Sequence, residues 1–258
     1  MRKRSLGSAS LVGGAALMVA AAAPAAAIVG GTDATQPYSF MASMQFASGD
    51  PLCGATLIAP QWLVTAGHCV TDPATLGVAD PAKYQFRIAS VDPAQGGELV
   101  KADKFIRHEG WDDQLHNDIA LVHLTKQVRA RPIAIGTAPP PGATVRQLGW
   151  GSTCPHHGCP GAATLQQLDT AIADPSGCTV PDFNSARQLC MDNKGGTASA
   201  CYGDSGGPAV VAGYGRWLLV GVTSHGQTSP CVDLPGVDTN VAFYADWIAA
   251  DTRPGGAG

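Results

Sequence analysis

From residue 38 onward the chain breaks into short apolar runs divided by Gly, Pro, Asp or Ser. Residues 38–46, 54–58, 85–88, 119–124, 144–148, 209–211 and 217–222 are rich in Val, Ile, Leu and aromatics and are bounded by turn residues. Such runs read as short strands. Long helical periodicity is nearly absent. The one candidate helix is 243–250, where Phe243, Trp247 and Ile248 lie at helical spacing and offer one face to a core. The pattern predicts an all-β protein with a short C-terminal helix. No internal repeat is present. The Pro-rich stretch 138–142 is a linker between two halves or a stiff surface turn.

Composition sharpens this picture. With 258 residues there is room for one large domain or two small ones. Hydrophobic residues reach 45% and charged residues only 14%, enough for a sizeable core and against disorder. The 32 glycines and 19 prolines suit many tight turns. The net charge is −4, and the first 27 residues hold three cations and no acid, so the remainder carries −7. That charge gives no electrostatic reason to bind nucleic acid or an anionic membrane.

Residues 1–27 read as a signal peptide. Arg2, Lys3 and Arg4 make a basic start, residues 11–23 are small and apolar, and Ala25, Ala26 and Ala27 fit a small-residue cleavage site. A transmembrane anchor needs about 20 strongly apolar residues, whereas this run is rich in Ala and Gly and stopped by Pro24. The expected location is therefore extracellular, without a membrane anchor in the mature form. Eight cysteines follow, Cys53, Cys69, Cys154, Cys159, Cys178, Cys190, Cys201 and Cys231. An even number in an exported chain predicts four disulfides rather than free thiols or a metal cluster.

Three segments carry the chemistry. The first is Gly203-Asp204-Ser205-Gly206-Gly207-Pro208. A serine hydroxyl needs a base and a backbone that presents it. Flanking glycines permit a tight turn in which the amides of Gly203 and Ser205 point together at a developing oxyanion. The second is Leu63-Val64-Thr65-Ala66-Gly67-His68-Cys69, a strand that delivers a histidine suited to act as general base. The third is Asn117-Asp118-Ile119-Ala120-Leu121, where an aspartate heads a strand and would orient the imidazole. Each alone has a plain structural reading. Together they stand in the order His, Asp, Ser, which differs from the order in subtilisins and α/β-hydrolases.

With Ile28-Val29-Gly30-Gly31 opening the region after the signal, these motifs make residues 28 to about 251 resemble the chymotrypsin/trypsin-like serine proteases. The Ala-, Gly- and Pro-rich composition is similar to that of exported proteins of high-GC bacteria, a bacterial secreted type. The resemblance implies two antiparallel six-stranded β-barrels, about 28–135 and 136–258, with the site between them. It implies a catalytic triad of His68, Asp118 and Ser205, an oxyanion hole from Gly203 and Ser205, and a supporting hydrogen bond from Ser224 near Asp118. It implies activation by the freed amino group of Ile28 pairing with Asp204, because half of a buried charge pair is costly. Disulfides Cys53–Cys69, Cys178–Cys190 and Cys201–Cys231 follow from it. Cys154 and Cys159 have no common counterpart, and the segment Cys154-Pro155-His156-His157-Gly158-Cys159 is read as a disulfide-closed loop in preference to a zinc site. No metal and no cofactor is expected, and residues 71–80 make no convincing calcium ligand set.

Substrate-binding positions follow from the same resemblance: Ser199 at the pocket floor, Gly226 and Gly236 in its walls, Ser224 and His225 beside it, and Asp238 near its base. A neutral floor and open walls suit a large apolar or aromatic side chain. Asp238, where relatives usually place Tyr, is either turned away or a displaced carboxylate selecting Arg or Lys. His225, where relatives usually have Trp, alters a subsite in a direction that the residues do not specify. The expected partners are protein or peptide substrates, and the expected state is a monomer. The rival reading is a silent binding protein on the same fold.

Overall fold

The computed structural model describes residues 28–253, so the expected signal peptide 1–27 lies outside the described residues. A two-residue strand, β1 (Thr32–Asp33), precedes a closed barrel of six strands. These are β2 (Met41–Phe46), β3 (Pro51–Ala59), β4 (Trp62–Thr65), β5 (Tyr84–Ile88), β6 (Glu98–Arg107) and β7 (Ala120–Leu124). They close in the order β2-β3-β4-β7-β6-β5. In β5 the alternation is plain: Tyr84, Phe86 and Ile88 point inward between half-exposed Gln85 and Arg87. Phe86, Leu57 and Leu121 are fully buried in the barrel, each stabilising it by about 2 kcal/mol.

The second half holds β8 (Ala134–Ile135), β9 (Thr144–Gly149), β10 (Gln166–Ala171), β11 (Gln188–Met191), β12 (Pro208–Gly213), β13 (Arg216–His225) and β14 (Gly236–Asn240). With β1 they form one eight-stranded sheet, ordered β1-β10-β9-β12-β13-β14-β11, with β8 parallel to β13. The expectation was a second six-stranded barrel. The six strands β9 to β14 do curl round, but β10 and β11 meet only through a single bridge, Ile172 to Met191. The four residues of β11 pair along one edge with β14, and on the other edge only Met191 meets the chain leaving β10. The seam is therefore a half-closed sheet and not a continuous ladder.

The helix α1 (Ala245–Thr252) lies at the C-terminal end, and Ile248 is its buried residue. The expected Phe243 belongs to the preceding turn and is exposed, because residues 241–244 wind more tightly than an α-helix. Among the described residues no helix is long and apolar enough to cross a membrane. The largest core cluster runs from the barrel interior into Leu148, Val210, Leu219 and Val222 of the second sheet. That shared core fixes the two halves against each other, and a cavity lined by residues of both opens between them.

Candidate active site

His68 sits in the 3₁₀ turn His68–Val70, reached three residues after β4 ends. Asp118 lies two residues before β7, the strand paired directly with β4. A Cβ at Gly67 would approach Trp111 to 2.6 Å and Asp118 Oδ1 to 3.2 Å. The missing side chain lets histidine, aspartate and tryptophan share one corner. Asn117 stands at φ 47°, a left-handed turn that asparagine tolerates. It is held by its amide donating to Gly110 O at 2.6 Å and by Tyr244 OH donating to its Oδ1 at 3.1 Å.

Asp118 is buried and fully engaged. Oδ2 accepts from His68 Nδ1 at 2.8 Å and from Ser224 Oγ at 2.5 Å. Oδ1 accepts from the His68 amide at 2.8 Å and from Trp111 Nε1 at 3.2 Å. Burial pushes the Asp118 carboxyl up, but the His68 charge and these donors outweigh it and hold the group below the ordinary aspartate range. Burial pushes His68 down, and the Asp118 charge and hydrogen bond more than reverse that, leaving the imidazole above its ordinary value. The pair is an ionised carboxylate holding an imidazole that readily takes a proton.

Ser205 faces this imidazole across a cavity of about 380 Å³ lined by both residues. Among the described residues no hydrogen bond joins Ser205 Oγ to His68, and such bonds commonly tighten only when substrate binds. The turn that carries Ser205 is pinned to both halves: Ser205 O accepts from the Gly54 amide at 2.7 Å and the Gly206 amide donates to Thr223 O at 2.7 Å. Gly203 lies at φ 94°, and a Cβ there would approach Gly151 Cα to 3.2 Å. Only glycine holds that conformation without strain.

Beneath the turn, Asp204 is buried. Its oxygens accept from the amides of Gly151 and Cys201 at 2.8 and 2.9 Å. Burial pushes its carboxyl up to about 7. Ile28 is also fully buried, packed on Leu168 and Ala198, while Val29 O accepts from the Ser199 amide at 3.0 Å.

The cavity wall brings together Ser224, His225, Gly226, Gly236 and Asp238 with His68 and Ser205. Ser199 does not line it. Its Oγ bonds Ala200 O at 2.9 Å and lies 3.6 Å from where a Cβ on Gly236 would stand. Asp238 is buried, and Gln147 Nε2 donates to both of its oxygens at 3.2 Å. Burial pushes this carboxyl up to about 7, and the nearby Asp204 adds to the rise.

All four disulfides stand as expected: Cys53–Cys69, Cys154–Cys159, Cys178–Cys190 and Cys201–Cys231. Cys53, Cys69 and His68 also cluster closely enough to suggest metal ligands, but both sulfurs are consumed in a disulfide. His157 stacks on Tyr202 at 3.7 Å. Trp111, Gln147 and Leu115 are site residues that sequence reasoning missed. Trp111 lies only seven residues before Asp118, but the turns between them leave no periodic signal. Gln147 had none, because its partner is 91 residues away.

The sequence profile described as Trypsin matches residues 28–248. The chain belongs to the trypsin family. Serine protease 1 of Homo sapiens is 34% identical over 212 residues, covering 78% of this chain and 80% of that protein. Serine protease 56 of Mus musculus is 30% identical over 243 residues, covering 88% of this chain, and that of Homo sapiens is 30% identical over 236 residues, covering 86%. This trypsin-family chain spans about two fifths of the length of those two relatives, 39% and 38%. The relatives are mammalian and lend no support to a bacterial type.

Proposed function

We propose that this chain is a secreted serine endopeptidase that cleaves peptide bonds through an acyl-enzyme, with His68, Asp118 and Ser205 as its triad. The observation that carries this reading is the fourfold-bonded Asp118 holding His68 on the wall of the cavity that contains Ser205. Ser205 Oγ attacks the scissile carbonyl as its proton passes to His68 Nε2. Asp118 fixes the Nδ1–H tautomer and stabilises the imidazolium. The amides of Gly203 and Ser205 receive the oxyanion. His68 then gives the proton to the leaving amine, and water enters by the same route in reverse to release the acid.

Residues 1–27 act as the export signal, and cleavage after Ala27 frees the Ile28 amino group. That ammonium pairs with buried Asp204 and holds the turn carrying Gly203. The mature protease domain, 28–258, works as a monomer on protein or peptide substrates and needs no cofactor or metal.

For the primary pocket, the reading is a large apolar or aromatic side chain. Gly226 and Gly236 leave the walls open, Ser199 adds no charge, and Asp238 is bonded to Gln147 and held near half-protonated at neutral pH. A second reading, Arg or Lys, is favoured by one observation: Asp238 lines the cavity and has no cation partner among the described residues.

The test is a covalent serine-directed phosphonate. Loss of peptidase activity with one label on Ser205 supports the proposal. An unlabelled, inactive mature protein would mean a silent binding protein on this fold.

A further inference from the structure

The triad aspartate has a second histidine behind it. Ser224 Oγ lies 2.5 Å from Asp118 Oδ2 and 2.9 Å from His225 Nδ1. A serine hydroxyl has one hydrogen and two lone pairs. Asp118 is ionised and only accepts, so the single hydrogen of Ser224 goes to it. The contact with His225 is then satisfied only if His225 Nδ1 donates. The directions are thereby set along the whole chain: His225 Nδ1–H to Ser224 Oγ, Ser224 O–H to Asp118 Oδ2, and His68 Nδ1–H to the same oxygen. His225 Nε2 makes no hydrogen bond among the described residues. The ring stands between the cavity of Ser205 and a second cavity of about 210 Å³ that also holds His116.

We propose that His225 is a positioning residue that acts through Ser224: its Nδ1–H polarises the Ser224 hydroxyl toward Asp118 and so lowers the basicity of His68. Hydrogen bonds in a chain strengthen one another. A stronger donor on Asp118 spreads its negative charge, and the imidazolium of His68 is then stabilised less. An indole or an aliphatic side chain at residue 225 would not supply this donor to Ser224 in the same way.

A His225 that stays neutral while His68 cycles through its charged form keeps this donor of constant strength, and the surroundings favour that. Burial holds His225 below the ordinary histidine range. Asp118 pulls it upward, while His68 and His116 push it down. His116 is itself tied to Asp112 at 2.8 Å and lies 4.0 Å from Asp182. A proton on His68 therefore opposes one on His225, and the two imidazoles do not charge together.

The inference rests on the protease reading, and its test separates the two. Nitrogen NMR of the wild-type protein at pH 8 reads the tautomer of His225 without any activity: Nδ1–H is expected, and Nε2–H overturns the proposal. The acid limb of kcat is then followed on an ester of a single amino acid, too short to reach the neighbouring subsites. His225→Leu removes the donor and should move that limb upward by about 0.5 pH unit, the scale of one neutral hydrogen bond. His225→Asn keeps an N–H donor and should leave the limb where the wild type has it. An unmoved limb in the leucine variant overturns the proposal. If that variant does not fold, the tautomer alone decides. A wild-type protein with the Nδ1–H tautomer and no hydrolysis would instead remove the protease reading.

Discussion

The backbone amide of Gly151 donates to Asp204 Oδ1 at 2.8 Å, tying the residue before Ser205 to the loop that follows β9. No cation reaches this buried carboxylate among the described residues. Its pKa of about 7 lies above that of an unfolded aspartate, so the folded state prefers the protonated form. Stability from this group is fully present below about pH 4 and is lost as pH rises through about 7. A free Ile28 ammonium would supply the missing charge and cancel the loss. Two forms should therefore diverge in thermal unfolding between pH 4.5 and 8. The form retaining Ala26-Ala27 should lose several degrees more than the form beginning at Ile28. Asp238 titrates with the same sign in both forms, and because Asp204 adds to its rise, neutralising Asp204 with Ile28 would reduce that loss as well, so both effects point the same way. Equal losses would mean that Ile28 and Asp204 do not pair.

Asp118 accepts four hydrogen bonds, two on each oxygen. Asp118→Asn keeps one oxygen and places an NH₂ against two donors. The imidazole escapes by turning to the Nε2–H tautomer, which cannot accept a proton from Ser205. The expected loss in kcat is about 10⁴-fold, the scale of losing the correct tautomer, with the circular dichroism spectrum unchanged. A loss below ten-fold would take Asp118 out of the mechanism.

The barrel and the motif residues were legible because their signals are local. Alternation in β5, the strand leading to His68 and the glycines around Ser205 each lie within a few residues of what they build. What stayed hidden is non-local. The open seam of the second sheet depends on how few residues of β11 reach β10, and strand pairing at long range leaves no periodic trace. Gln147 lies on β9 and its partner on β14, and among the described residues its amide is the sole side-chain hydrogen-bond partner of Asp238. Ser199, expected at the pocket floor by resemblance, is buried, and its hydroxyl donates to Ala200 O, a contact to the next residue that no motif signals.

Gly203 is held at φ 94° with Gly151 Cα within 3.2 Å of the missing Cβ. Gly203→Ala must swing the peptide or displace Gly151, and either movement withdraws the amide proposed as an oxyanion donor. Removal of such a donor costs roughly 10²- to 10³-fold in kcat. The Michaelis constant for a short amide substrate should change little, since the oxyanion exists only in the transition state. A variant whose loss fell wholly on KM would show that Gly203 binds substrate without stabilising the oxyanion.

Asp238 gives the pocket a charge that varies with pH. Its carboxyl, pushed up to about 7 by burial and by Asp204, is neutral at pH 6 and ionised at pH 8.5. A neutral acid bonded to Gln147 accepts an apolar side chain above it, whereas a carboxylate repels it and attracts a cation. The ratio of kcat/KM for matched Phe and Lys substrates should then fall as pH rises from 6 to 8.5, by roughly ten-fold if about one pK unit of interaction is involved. Ionisation of His68 affects both substrates alike and cancels in the ratio. Asp238→Asn should give a ratio that favours Phe and does not change with pH. If the wild-type ratio is equally flat and favours Phe, Asp238 serves only Gln147 and the strand below. If Lys is preferred even at pH 6, substrate binding itself draws the proton off Asp238, and this carboxylate is the primary specificity determinant.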